Sequence, residues 1–351
     1  MTNRVLIVGA TGMIGRNFSE HACQVEGIEP VGISRRKPDW AGDLDWVPVD
    51  LLDRDSAISA LRGYSDISDI LYAGYVHGSG WQSETEANTA LLANTLDAVE
   101  EAGAKLKRVV LMQGQKYYGS HLGPFKTPSR EDDERHVPPN FYYDQQDLLE
   151  ERGKDASWAW TALRPHVVCG IGSGSPLNIV SVLACYAVLM KELGLPLKFP
   201  GSPGCYSAVY QATDAKLLSR AIEWALEAEG AANQAFNITN GDFFRWENFW
   251  PRLAEHFNMS VGRIQDISLE KVMADKEPLW QEIVARYNLT QSSLSEMVNW
   301  AFGDYVFHTG WDVMASTIKV RQAGFQDCLD SEEMFLAILK QMQDRKIIPR
   351  Y

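Results

Sequence analysis

Gly9-Ala10-Thr11-Gly12-Met13-Ile14-Gly15 follows an apolar run at residues 5–8 and opens a helical pattern over residues 13–23. Glycines at this spacing permit a tight turn and let backbone N–H groups approach a pyrophosphate at the positive end of a helix. A glycine-rich turn alone is a weak signal. Between the first strand and the first helix of an α/β chain it predicts a dinucleotide site. The expected contacts are Gly9, Thr11, Gly12, Met13, Ile14 and Gly15.

The end of the second strand, residues 30–33, selects the nucleotide. A cofactor without a 2′-phosphate usually meets an Asp or Glu there, which accepts from the ribose hydroxyls. This chain has Ser34-Arg35-Arg36-Lys37 instead. Two guanidinium forks and a hydroxyl suit a 2′-phosphate and leave a bare ribose without its acceptor. The expected cofactor is therefore NADPH/NADP+, held by Ser34, Arg35 and Arg36. Asp50 ends the next apolar stretch and is a further candidate, on the adenine side.

Strand and helix patterns alternate onward: helix 56–61, strand 70–73, helix 86–102, strand 109–112, helix 143–152 and strand 158–163. Such alternation predicts an α/β fold, a Rossmann-type doubly wound parallel sheet covered on both faces. The second half is more helical, over residues 180–193 and 214–228, with a strand at 235–238 that returns to the sheet. Beyond it lie Trp246, Trp250, Trp280, Trp300 and Trp311, read chiefly as core packing. The expected division is an NADPH-binding domain of residues 1–170, rejoined by residues 207–240, and a smaller, mainly helical substrate-binding lobe. That lobe is built from residues 171–206 and 241–351.

A formal charge of −13 argues against nucleic acid and anionic membranes as partners. Cys23, Cys169, Cys185, Cys205 and Cys328 are scattered and odd in number, which suits a reducing compartment and gives no zinc spacing. No metal site is expected. No apolar run approaches the roughly 20 residues of a membrane span, and Met1-Thr2-Asn3-Arg4 runs straight into the first strand. These features predict a soluble, cytoplasmic protein, with a homodimer as the default assembly.

Asn140-Phe141-Tyr142-Tyr143-Asp144-Gln145-Gln146-Asp147 opens the 143–152 helix, and Tyr143, Asp147 and Glu151 share one helical face. An aspartate one turn from a phenol disfavours phenolate. A cation is available elsewhere: Lys116, in Gly114-Gln115-Lys116-Tyr117-Tyr118-Gly119, follows the 109–112 strand at the carboxyl edge of the sheet, where α/β sites form. Tyr143 and Lys116 are the expected catalytic pair. Tyr75, Trp81, Tyr118 and Phe125 are candidate pocket walls, and His166 is a candidate at the cofactor edge.

These motifs resemble those of the progesterone 5β-reductase/iridoid synthase-like family, atypical extended short-chain dehydrogenases/reductases. Most short-chain dehydrogenases carry a lysine four residues after the helix tyrosine, where this chain has Asp147. The resemblance rests on Gly114–Gly119, Gly123-Pro124-Phe125, the Asn140–Asp147 motif, and Arg164-Pro165-His166-Val167-Val168-Cys169-Gly170. It extends to Ala235–Asp242 and Lys276–Trp280, nearly the whole chain. It implies Tyr143 and Lys116 as catalytic residues, Arg35 and Arg36 as the 2′-phosphate clamp, and Pro165 and Val168 among the cofactor contacts. Gln113 and Tyr117 depart from the threonine and histidine common in the family, and Ser120–Leu122 lengthens the following loop.

The resemblance further implies reduction of the C=C bond of an activated enone or enal by NADPH. A tyrosine hydroxyl backed by an ammonium suits that chemistry, because charge gathers on the carbonyl oxygen while hydride enters at the β-carbon. The alternatives are a carbonyl reductase or alcohol dehydrogenase on the same scaffold, in which Tyr143 protonates an alkoxide, and a non-catalytic NADPH-sensing regulator. A sugar-nucleotide epimerase is disfavoured by the tyrosine–lysine spacing.

Overall fold

The alternation of β1 (Asn3–Val8) shows how the sheet is covered. Val5 and Ile7 enter one apolar layer and Leu6 and Val8 the opposite one, as the two-residue period of a strand requires. The computed structural model describes residues 2–172, 177–290 and 293–351. After β1 come β2 (Ile28–Ser34), β3 (Asp45–Pro48), β4 (Asp69–Tyr72), β5 (Arg108–Met112) and β6 (Ala159–Pro165). Three short strands follow, β7 (Val168–Cys169), β8 (Val209–Tyr210) and β9 (Thr213–Asp214), and then β10 (Gln234–Ile238).

The main sheet has the order β10-β6-β5-β4-β1-β2-β3, and its neighbours pair in parallel. Strand order reverses between β1 and β4, so the crevice beyond their carboxyl ends is the expected ligand position in such a sheet.

Helices α1 (Met13–Ala22), α2 (Arg54–Leu61), α3 (Trp81–Glu101) and α4 (Phe141–Gly153) alternate with the strands. They are followed by α5 (Ile179–Glu192), α6 (Pro203–Ser207), α7 (Ala215–Glu227) and α8 (Trp246–His256). Phe18 of α1 and Leu217 and Ile222 of α7 pack on the Val5–Ile7 face. Leu61, Leu92, Leu96 and Leu149 of α2 to α4 pack on the Leu6–Val8 face. The doubly wound architecture expected from the sequence is present. Strand β3 was not expected: its only apolar pair, Trp46-Val47, lies between Asp45 and Pro48 and is too short to carry a period.

A second core lies outside the sheet. Helix α5 is buried on every side, which accounts for its apolar sequence, and Trp246, Trp250 and Trp280 are fully buried around it. Three of the five late tryptophans are thus core, while Trp300 and Trp311 are partly buried against it. No described helix is long and apolar enough to cross a membrane, and no described cluster of His, Cys, Asp and Glu could hold a metal ion.

Candidate active site

Gly9 has φ +79°, and a Cβ there would stand 2.4 Å from the Ala73 carbonyl oxygen beyond β4. A Cβ on Gly15 would meet the Gly9 carbonyl oxygen at 2.4 Å. Both positions therefore require glycine, and together they hold the turn against the sheet at the strand-order reversal. The turn closes through Gly12 N–H donating to the Gly9 carbonyl at 2.9 Å. Helix α1 begins at Met13 with neither a side-chain cap nor an acidic residue in its first turn. Its leading N–H groups are thus left for an anion.

Thr11 and Gly12 are exposed, Ile14 is half-buried, and Met13 is buried with its carbonyl accepting from Asn17 Nδ2 at 2.8 Å. Ser34 Oγ donates to the Arg36 carbonyl at 2.7 Å, which folds the turn after β2. Arg35 and Arg36 are exposed and form no ion pair with any described residue. Asp50 is exposed and accepts from Leu52 N–H at 3.0 Å, leaving one carboxylate oxygen open. Pro165 ends β6, and Val168 lies half-buried in β7. These residues fit a phosphorylated dinucleotide: uncapped N–H groups for the pyrophosphate and, in the turn after β2, two guanidiniums that pair with no described residue.

The tyrosine-bearing helix is fixed at its start by Asn140. Its Oδ1 accepts from Tyr142 N–H at 3.1 Å, and its Nδ2 donates to the Lys116 carbonyl at 3.0 Å. One side chain thus caps α4 and joins it to the Lys116 turn. The Lys116 side chain is exposed and has no described partner.

The two tyrosines differ sharply. Tyr143 is buried, its hydroxyl donates to the Tyr117 carbonyl at 2.6 Å and accepts from His136 N–H at 3.0 Å. Above it, Arg135 grips Asp147 with both guanidinium arms, at 2.8 and 2.6 Å, and its Cζ lies 4.9 Å from the Tyr143 ring centroid. The hydroxyl of Tyr142 makes no hydrogen bond with a described residue. It lies 3.3 Å from where a Gly114 Cβ would stand, and the Pro165 carbonyl oxygen is 3.5 Å from that point. Gly114 thus keeps open the space where the ends of β5 and β6 meet this phenol. Burial, the Glu84 carboxylate and Tyr305 raise the Tyr142 pKa above the ordinary phenol value, so it is a neutral donor near pH 7.

Residues 58–349 match the PRISE-like Rossmann-fold domain. The chain belongs to this family. It is 32% identical to an (S)-8-oxocitronellyl enol synthase of Nepeta racemosa, over 98% of this chain and 92% of that protein. It is 31% identical to a 3-oxo-Δ(4,5)-steroid 5β-reductase of Arabidopsis thaliana, again over 98% and 92%. The fold is also similar to that of Pseudomonas aeruginosa RMD complexed with NADPH: TM-score 0.69, 14% identity, 98% of this chain and 100% of that one.

The PRISE-like motifs therefore have physical roles here. Asn140 ties the tyrosine helix to the lysine turn, and Asp147 holds the 120–140 segment over Tyr143 through Arg135. The Lys116 side chain is exposed, whereas the Tyr143 hydroxyl, reaching across from α4, is enclosed against the same turn. Residues not foreseen from the sequence are Tyr142, Gly114 and Glu84. The only advance signal for Tyr142 was its place beside Tyr143 in the same motif.

His121, in the lengthened loop, packs against the exposed Trp81 at 5.3 Å between ring centroids. Burial, with Lys116 and His136 nearby, lowers its pKa to about 4. His166 sits against Tyr210 at 4.6 Å between ring centroids, with its Nε2 enclosed and without a partner among the described residues. Of the other wall candidates, Tyr75 packs on Phe141 at 5.6 Å. Tyr118 is buried and donates to Asn237 Oδ1 at 2.7 Å, which takes its hydroxyl away from the cleft.

Proposed function

We propose that this chain is an NADPH-dependent ene-reductase that reduces the C=C bond of α,β-unsaturated aldehydes or ketones. The observation that carries the proposal is the Tyr142 hydroxyl, a neutral phenol without a partner among the described residues, at the carboxyl edge of β5 and β6. Reduction of activated C=C bonds is supported by the reductase and enol synthase names of relatives that align over nearly the full chain. Residues 1–170 with about 207–240 form the cofactor domain, and 171–206 with 241–351 the substrate lobe. The protein works as a soluble cytoplasmic enzyme, with a homodimer as the default assembly.

NADPH, when bound, supplies the hydride. Gly9, Thr11, Gly12, Met13, Ile14 and Gly15 would hold its pyrophosphate, and Ser34, Arg35 and Arg36 its 2′-phosphate. Asp50 belongs to the adenine side, and Pro165 and Val168 to the other end of the cofactor. The substrate carbonyl oxygen accepts from the tyrosine pair, and within that pair Tyr142 is the donor, because both bonding directions of the Tyr143 hydroxyl are taken by main chain. Lys116 adds positive charge from the neighbouring turn. Together they stabilise the enolate as charge reaches oxygen. The α-carbon then takes its proton from solvent, so no acid has to stand over it.

The test is NADPH consumption with a panel of enones and enals, followed by product identification. Saturated aldehyde or ketone supports the proposal. Allylic alcohol as the product would replace it with carbonyl reduction, and NADPH binding without turnover across the panel would point to a sensor.

A further inference from the structure

Arg164 is a fully buried cation with no carboxylate among its hydrogen-bond acceptors. Its Nε donates to Gln113 Oε1 at 2.9 Å and Nη2 to Gln146 Oε1 at 3.0 Å. Nη1 donates to the Tyr118 hydroxyl at 2.9 Å and the Glu131 main-chain carbonyl at 3.2 Å. The guanidinium carbon lies 3.4 Å from the Tyr117 ring centroid. A charge removed from water persists only where its donors are answered, and here neutral groups and an aromatic face answer them.

Gln113 is the member of this cradle that touches the candidate site. It is buried at the end of β5, and its main-chain N–H donates to the Leu163 carbonyl at 2.8 Å. A guanidinium can only donate, so Gln113 must turn its Oε1 toward Arg164. Its Nε2 is thereby forced the other way, where it donates to the main-chain carbonyl of Tyr142 at 2.8 Å. A threonine hydroxyl at this position would stop short of spanning the two groups. The two departures from the family pattern, Gln113 and Tyr117, thus fall on the same buried arginine.

We infer that Gln113 is a positioning residue that uses the buried Arg164 as a fixed post and sets the first turn of α4 so that the Tyr142 hydroxyl stands over the substrate carbonyl. This rests on Tyr142 being the enolate donor. Gln146, four residues after Tyr142, holds Arg164 from the same helix, so the post is braced on both sides. Gln113 is buried and acts on the reaction through its bond to Tyr142.

The experiment is a double-mutant cycle with Gln113→Met and Tyr142→Phe in the NADPH-loaded enzyme, on an enone that the wild type reduces. Gln113→Met is expected to lower kcat roughly 10- to 100-fold, as misplacement of a reacting group does. NADPH Kd and enone KM should stay within about twofold. Adding it to Tyr142→Phe should cost nothing further. Gln113→Glu, which keeps an acceptor on Arg164 but loses the donor to Tyr142, should reproduce the kcat loss if the methionine variant folds poorly. Wild-type kcat in either Gln113 variant overturns the inference, as does a loss that multiplies with that of Tyr142→Phe. In those cases the role of Tyr142 stands. Wild-type turnover by Tyr142→Phe alone overturns that role, and the inference with it.

Discussion

Tyr143 is bound to Tyr117: its hydroxyl donates to the Tyr117 carbonyl at 2.6 Å, and their rings cross edge to face with centroids 4.8 Å apart. The hydroxyl also accepts from His136, so it bridges the lysine turn and the 120–140 segment. The proposed reading makes such a phenol a structural tie and gives the donor role to Tyr142, whose hydroxyl bonds to no described residue.

The two phenylalanine substitutions should therefore separate. Tyr142→Phe should lower kcat about 10²–10³-fold, the usual effect of deleting one oxyanion donor, while NADPH still binds. Tyr143→Phe should keep kcat within a few-fold and lose about 1–3 kcal/mol of stability, because it orphans a buried carbonyl and N–H. Steady-state kinetics and urea unfolding read the two effects independently. The opposite assignment of losses would return the donor role to Tyr143.

A lysine placed four residues after Tyr143 should not restore function. Asp147 stands four residues after Tyr143, on the face that meets Arg135. Lys116→Met should lower kcat without unfolding the protein, since the ammonium is exposed and pairs with no described residue. Adding Asp147→Lys should give no recovery, and should open the 120–140 segment to proteolysis because a lysine there repels Arg135. Recovery of turnover in the double variant would show that position 147 reaches the site.

The geometry of the glycine turn and the exposed basic turn after β2 were legible in the sequence because each is set by neighbours in the chain. A positive φ, an uncapped helix and a basic turn after a strand are local facts. That the Tyr143 hydroxyl is tied to main chain and the Tyr142 hydroxyl to no described residue was not legible. It depends on which side of α4 the 120–140 segment covers, and that is fixed by Arg135 reaching Asp147 and His136 reaching Tyr143. Neither contact leaves a periodic trace. The same holds for Gln113 and Arg164, which are 51 residues apart and meet only once β5 and β6 pair. The sheet itself was legible wherever apolar runs were long enough, and failed at β3, where two residues carry the strand.

Cofactor choice should reside in the turn after β2. Arg35→Ala and Arg36→Ala should each weaken NADPH binding about tenfold or more, as loss of a charge-assisted phosphate contact does. NADH, lacking the phosphate, should bind each variant as it binds the wild type. Fluorescence titration with both nucleotides checks this, and the NADPH preference should shrink as salt is raised. Equal weakening for both nucleotides would mean the arginines hold the turn rather than the phosphate.

Acid should unfold this protein partly through His166. Burial pushes its pKa down to about 3, and its Nε2 has no partner among the described residues that could share a proton. The unfolded ring titrates near 6.5. Above that value both states are neutral, and the folded state keeps its full stability. As pH falls below about 6.5 the unfolded chain binds a proton that the folded ring refuses, so stability drops until the folded ring titrates near 3. Through the middle of that window one such group contributes a slope of about 1.4 kcal/mol per pH unit. His121, lowered to about 4, acts in the same direction over a narrower range. The raised carboxyls of Asp69 and Glu131 titrate alike in both proteins and cancel in a comparison. Urea unfolding of His166→Leu across the acid range should therefore give a shallower loss of stability than the wild type, with parallel behaviour above about pH 7. An unchanged acid slope would mean that the ring already reaches water, or gains a partner, in the folded protein.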